Sequence, residues 1–153
     1  MKVLPSEYIE RMKSLLGDEF NEYVDSLNNS PVRAFRVNTE KISCLDFENI
    51  NVFSKNRIPY VENGFYFEFD KIGNHPYHHA GMIYVQEPAA MAPAECIDVK
   101  PDWKILDMCA APGGKSTQLK NKLGQNGILV SNEIIPSRCK ILTGNVERLG
   151  LHN

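Results

Sequence analysis

Residues 108–119 read Met-Cys-Ala-Ala-Pro-Gly-Gly-Lys-Ser-Thr-Gln-Leu and follow an apolar run directly. Tiny side chains beside two glycines let a backbone close around a nucleotide-like ligand. Three ligand chemistries compete for this loop. A nucleoside triphosphate would suit the segment Gly114-Lys115-Ser116, which resembles the end of a phosphate-binding loop. That alignment puts Cys109 where the first glycine belongs, and Pro112 removes one N–H from the cradle. No later strand ends in the aspartate that such sites use for magnesium. A dinucleotide needs Gly-x-Gly-x-x-Gly, but 109–114 read Cys-Ala-Ala-Pro-Gly-Gly. S-adenosylmethionine carries no phosphate and needs only a close-passing backbone, which favours Ala110, Ala111, Gly113 and Gly114. Its ribose needs an acceptor for two hydroxyls, and an acid about 20 residues on, at the end of the next strand, is the usual solution in doubly wound folds. Glu133 closes the run Ile-Leu-Val-Ser-Asn-Glu, 20 residues after Gly113. Alone it reads as a surface carboxylate. Loop and spacing together favour the ribose role.

The elements around this loop form a pattern. Residues 103–109 read as an apolar strand, 114–124 as a helix stopped by Gly124, and 127–133 as a second strand. A helix over 136–150 opens on Pro136 and closes on Gly150. Strand, helix, strand, helix implies a parallel sheet with right-handed crossovers. An Ala-rich helix beginning at Pro88, after a short strand over 82–86, leads into it. The first seventy-odd residues differ. Residues 6–16 and 19–27 carry apolar stripes at helical spacing, with Gly17 between them. Residues 34–39 alternate, with Phe35 and Val37 facing in and Arg36 and Asn38 facing water. Ser43 caps a short helix through Ile50, and Asn63-Gly64 marks a hairpin turn. Turn-rich residues 73–81 read as a linker or lid. The expected class is α/β: a small α+β unit over 1–74, then over 75–153 the first part of a Rossmann-like domain whose parallel sheet is incomplete.

Composition narrows the setting. Charged residues make up 24% of the chain and its net charge is −2, so it is no basic nucleic-acid binder as a whole. Residues 113–153 nonetheless carry Lys115, Lys120, Lys122, Arg138, Lys140 and Arg148 against Glu133 and Glu147. Most of those lysines read as a solvated helix face. No apolar run approaches the ~20 residues of a membrane span, and the N-terminal stretch lacks the core of a signal peptide, which points to the cytoplasm. The cysteines 44, 96, 109 and 139 form no Cys-x-x-Cys pair. His75, His78 and His79 have no carboxylate or cysteine at ligand spacing, so no metal is expected.

The segment Leu-Asp-Met-Cys-Ala-Ala-Pro-Gly-Gly-Lys-Ser-Thr resembles the cofactor-binding motif of the Sun/Fmu-type RNA (cytosine-5) methyltransferases. Other segments agree in order: Phe-Arg-Val-Asn-Thr at 35–39, the run 75–91 and the run 132–150. The stretch 75–91 is most similar to bacterial ribosomal-RNA members. The resemblance implies that Cys109, Ala110, Ala111, Pro112, Gly113, Gly114 and Lys115 line the cofactor and that Glu133 binds its ribose, with Arg138 near it. It implies that the N-terminal unit grips RNA, with Arg33 and Arg36 as candidate phosphate contacts. The family's chemistry adds a cysteine thiolate to carbon 6 of cytosine, which makes carbon 5 able to take the sulfonium's methyl.

That cysteine stands in Pro-Cys or Thr-Cys contexts in the family, and neither dipeptide occurs here. No catalytic residue is therefore assigned within these residues, and the chain reads as an N-terminal fragment of a longer enzyme. A non-catalytic RNA-binding module that kept the fold is the alternative, with a nucleotide hydrolase behind it. A two-strand parallel sheet leaves apolar surface and an open edge on strand 104–108. The 153-residue chain is expected to melt poorly or to self-associate through that edge. Thermal melting followed by circular dichroism checks this, and a cooperative, high-melting monomer would count against it.

Overall fold

The computed structural model describes residues 4–53 and 56–152. Residues 1–3, part of the stretch read for a signal peptide, lie outside the described residues. The chain divides by packing into one unit ending at Pro31 and a second beginning at Val32. The first unit holds helices α1 (Ser6–Leu16) and α2 (Phe20–Ser26), joined by a 3-10 turn over Gly17–Glu19. Gly17 adopts φ 53°, which stops α1 as expected. The Tyr8 and Tyr23 hydroxyls are hydrogen-bonded to each other. The apolar stripes are present but neither helix buries a residue fully. Two short helices offer each other one face and cannot enclose a core.

The second unit begins with a three-stranded antiparallel sheet in the order β2-β1-β3. Its strands are β1 (Ala34–Val37), β2 (Gly64–Tyr66) and β3 (Ile83–Val85). Helix α3 (Cys44–Ile50) covers it, and Ser43 caps that helix by accepting from the Asp46 N–H at 3.1 Å. Phe35, Val37, Phe47, Phe65, Phe67, Ile72 and Ile83 form its core. Phe35 sits at the centre, with the Phe47, Phe53 and Phe65 rings each 5.6 Å away.

Several expectations need correction here. Strand β1 is not half-solvated, because Arg36 and Asn38 are only 2% and 3% exposed. Strand β3 lies on one side of β1 and hydrogen-bonds to it, while later elements cover the polar face. The turn before β2 runs through Pro59–Asn63 rather than Asn63-Gly64, since Ile58 N–H donates to Gly64 O and Gly64 N–H to Val61 O. Asn63 instead spends its amide on the Val37 carbonyl, at 2.7 Å. Residues 73–81 are a packed corner, not a linker. His75 caps helix α4 (Pro76–His79), accepting from the Tyr77 N–H through Nδ1, and its ring packs 4.7 Å from Phe53.

The remaining elements follow the sequence reading closely. They are α5 (Pro88–Glu95), β4 (Lys104–Asp107), α6 (Gly114–Lys120), β5 (Ile128–Ser131) and α7 (Pro136–Leu149). Strands β4 and β5 run parallel in a two-stranded sheet, with Lys104 opposite Ile128 and Asp107 opposite Ser131. Pro136 starts α7 and Gly150, at φ 67°, ends it. On one face of this sheet Leu106 and Val130 remain 59% and 54% exposed. Among the described residues no helix is long and apolar enough to cross a membrane.

The aromatic centre fixes how tightly β1 is held. Phe35→Ala is expected to cost about 3–5 kcal/mol, read from the midpoint of a urea melt. Leu45→Ala, at a site 72% exposed, is expected to change it little.

Candidate functional site

The loop after β4 takes its shape from backbone groups that mostly face the protein. The Cys109 N–H donates to Asp107 Oδ1 at 3.2 Å, the Ala110 N–H to Asn132 O at 2.9 Å, and the Gly113 N–H to Ala110 O at 2.7 Å. A phosphate cradle requires such groups turned toward its ligand. The Ala111–Pro112 peptide is cis and Gly113 sits at φ 110°. Asp107, the last residue of β4, braces both ends of the loop, because its Oδ2 accepts from Ser116 Oγ at 2.6 Å. Sequence reading passed over Asp107, although an acid at a strand end directly before a glycine turn was the available signal.

The small residues are demanded by the packing behind the loop. Ala110 and Ala111 are buried against Leu142 and Val146 of α7. A Cβ on Gly113 would meet Leu142 Cδ1 at 3.0 Å, and one on Gly114 would meet Gln86 Cδ at 3.2 Å. Cys109, Pro112 and Lys115 are exposed along the same loop. With Met108, which is 70% exposed, their side chains are the part of the loop offered to solvent.

Glu133 follows β5 and lies beside this loop. Its Oε1 accepts from the Ile135 N–H at 3.1 Å, which fastens the turn into α7. Its Oε2 is 3.2 Å from Arg138 Nη1, yet that buried oxygen receives no hydrogen bond. Arg138 turns its other nitrogen to Ala111 O, at 2.7 Å. The acid and the loop are therefore joined through one arginine.

Further side chains that sequence reading did not assign hold the loop from outside. Asn145 Nδ2 donates to Pro112 O at 2.8 Å, and Tyr84 Oη reaches the same oxygen at 3.4 Å. Arg36 Nη2 donates to both Gly114 O and Thr117 Oγ1 at 2.8 Å, and its Nε donates to Gln86 Oε1 at 2.9 Å. This overturns Arg36 as a phosphate contact, since its guanidinium is spent inside the protein. Burial brings its pKa down to about 10, partly offset by Tyr84 and Glu95, and it remains cationic at neutral pH. Burial likewise raises the Tyr84 phenol, against the pull of Arg36 and Arg148. Arg33 stays exposed and pairs with Asp70 at 3.4 Å.

The lysines after the loop are not simply a solvated face. Lys120 is buried and stands 3.6 Å from Glu40. Lys122 Nζ donates to Ala94 O at 3.0 Å and to Glu95 Oε2 at 2.7 Å, tying α6 to the end of α5. Lys115 and Lys140 remain exposed. Among the described residues no group of three or more His, Cys, Asp and Glu side chains could hold a metal ion.

Gly113→Ala forces an L-residue to φ 110° against Leu142, so a loss of about 1–3 kcal/mol is expected in a denaturant melt. Gly144→Ala, within α7 where an added Cβ meets nothing within 4 Å, is the control and is expected to gain up to about 1 kcal/mol.

Two family descriptions match the chain. Residues 4–88 match the N-terminal domain of 16S rRNA methyltransferase RsmF, and residues 94–153 match 16S rRNA methyltransferase RsmB/F. Ribosomal RNA small subunit methyltransferase F of Vibrio cholerae is 34% identical over 98% of this chain. The corresponding protein of Erwinia tasmaniensis is also 34% identical, over 97% of this chain. The chain spans 34% of each relative's length. A methyltransferase homologue from Pyrococcus horikoshii superposes with a TM-score of 0.85 at 31% identity, over 98% of this chain and 51% of its own. The structure of NSun6 from the same organism, solved with SFG, has a TM-score of 0.85 at 20% identity, over 97% of this chain and 64% of its own. The second likeness speaks for the fold. A mixed α/β chain with the start of a methyltransferase domain, matched along nearly its whole length, belongs to the RsmF family of 16S rRNA methyltransferases.

Proposed function

We propose that this chain carries the cofactor-binding part of an S-adenosylmethionine-dependent RNA methyltransferase that forms 5-methylcytosine in ribosomal RNA. The observation that carries the reading is the placement of the 108–114 loop and Glu133 at the carboxyl ends of two adjacent parallel strands. Ligands of open α/β sheets bind in that crevice. Bound there, S-adenosylmethionine supplies an electrophilic methyl on its sulfonium.

Cys109, Ala110, Ala111, Pro112, Gly113, Gly114 and Lys115 form the wall along the methionine and adenosine. Cys109, Pro112 and Lys115 present exposed side chains there, while Ala110, Ala111 and Gly113 are buried and keep the turn thin. Glu133 takes the ribose. Its Oε2 is covered and held by charge alone, 3.2 Å from Arg138 Nη1 with no hydrogen bond made. A ribose hydroxyl gives that oxygen a directed donor. Exposed groups of residues 1–74 serve RNA grip, and 75–153 carry the cofactor loop. That is a division of labour and not of packing, since β3 pairs with β1. Exposed Arg33 is the retained phosphate contact of the first part. A ribosomal RNA substrate sets this work in the cytoplasm.

In the full-length protein, Glu133→Ala is expected to raise the dissociation constant for S-adenosylmethionine at least tenfold, measured by titration calorimetry. Labelled methyl is expected to appear on carbon 5 of a cytosine when 16S rRNA is supplied, mapped by nuclease digestion and mass spectrometry. Unchanged affinity in Glu133→Ala, or methyl on another base, would remove this reading.

A further inference from the structure

The loop carbonyls at Ala111, Pro112 and Gly114 accept from Arg138, Asn145 and Arg36 side chains at 2.7, 2.8 and 2.8 Å. Arg138 and Asn145 belong to α7, which follows the loop in the same strand–helix pattern. Arg36 belongs to β1, 78 residues before Gly114. A strand of the antiparallel sheet therefore reaches into the frame of the proposed cofactor site.

Arg36 is also an expensive residue to keep in that place. It is 2% exposed and its hydrogen-bond partners are neutral: Gln86 Oε1, Gly114 O and Thr117 Oγ1. No carboxylate lies within ion-pair distance of it among the described residues. Burying a cation whose counter-charge, Glu95, acts only from beyond ion-pair distance disfavours the fold. Methionine would fill a similar volume between β3 and α6 more cheaply. Methionine cannot donate to the Gly114 carbonyl and the Thr117 hydroxyl, themselves 3.2 Å apart, as the single nitrogen Nη2 does here. The same guanidinium lies 5.4 Å from the Tyr84 ring, and Tyr84 reaches Pro112 O. Gln86, aligned by Arg36, stands where a Gly114 side chain would be and anchors itself on Ala90 O at 3.0 Å.

We propose that Arg36 is a positioning residue for the cofactor site: it sets the Gly113–Gly114 turn, and with it the affinity for S-adenosylmethionine, without touching the cofactor. The proposal rests on the cofactor reading above. It assigns the Phe-Arg-Val-Asn strand to cofactor binding rather than to RNA contact.

The test uses R36M and R36K in the full-length protein, at a temperature where circular dichroism shows each variant folded. R36K keeps the charge and loses the fork, and it carries the test alone if R36M fails to fold. Titration calorimetry is expected to show S-adenosylmethionine binding weakened at least tenfold in R36M and at least threefold in R36K. The dissociation constant for a 16S rRNA fragment is expected to stay within twofold of the parent protein. Amide exchange at residues 113–116 is expected to quicken in the ligand-free variants. Unchanged cofactor affinity and loop exchange in the folded variants would overturn the proposal, as would a loss confined to RNA. A parent protein that binds no S-adenosylmethionine would remove the cofactor reading itself, which is a different failure.

Discussion

Side-chain donors set on backbone carbonyls hold the antiparallel sheet and the parallel strand–helix layers of the second unit together. Besides Arg36, Asn38 donates to Gly81 O at 2.9 Å and to Leu149 O at 2.8 Å. Lys41 Nζ reaches Ala80 O at 2.6 Å and Arg148 O at 3.0 Å. Arg148 returns the contact, donating to His78 O at 2.6 Å. The last carbonyls of a helix have no partner within it, and these donors satisfy those of α7. A stretch from Arg36 to Lys41 thus closes one end of α7 and the beginning of α6. Gly81 is needed at the same seam, because a Cβ there would collide with the Arg148 carbonyl.

This seam explains why the loop after β4 has so little freedom. Its carbonyls are drawn outward by donors from β1 and α7, and its early N–H groups are spent inward on Asp107, Asn132 and Ala110. Packing adds to this from behind, since Ala110, Ala111 and Gly113 are in contact with α7. A loop held so is fixed in shape before anything contacts it. Tiny residues in such a loop thus answer the close approach of a helix.

The parallel sheet contrasts with this tight seam. Leu106 and Val130 lie opposite each other in the β4–β5 register and face outward, alongside Ile128. Their alternation with Ile105 and Leu129 is that of strands apolar on both faces, as parallel strands flanked by helices on either side are. On the other face Ile105 and Leu129 are half-buried, and α6, whose Ser116, Thr117, Gln118, Leu119 and Lys120 are all buried, lies beyond a cavity that Leu129 lines.

Much of the chain was legible without its structure. The parallel strands and their helices announced themselves by apolar runs, by Pro136 and Gly150, and by the glycine turn between them. Ser43 as a cap and Gly17 as a stop were equally local, and both act within a few residues of where they stand. The placement of the loop and of Glu133 at neighbouring strand ends was legible because strand and helix lengths set that spacing. The tertiary structure alone decided where polar residues go when distant segments cover them. Arg36 alternates with Phe35 and Val37 as a solvated residue should, yet α6 and β3 enclose it. Lys120 and Lys122 read as surface charges, yet Glu40 and Glu95 meet them. Asn63-Gly64 carries a hairpin signal, yet the turn forms earlier because Asn63 is claimed by Val37 O. Local pattern reports which face of an element is apolar, whereas the fate of a polar face depends on partners tens of residues away.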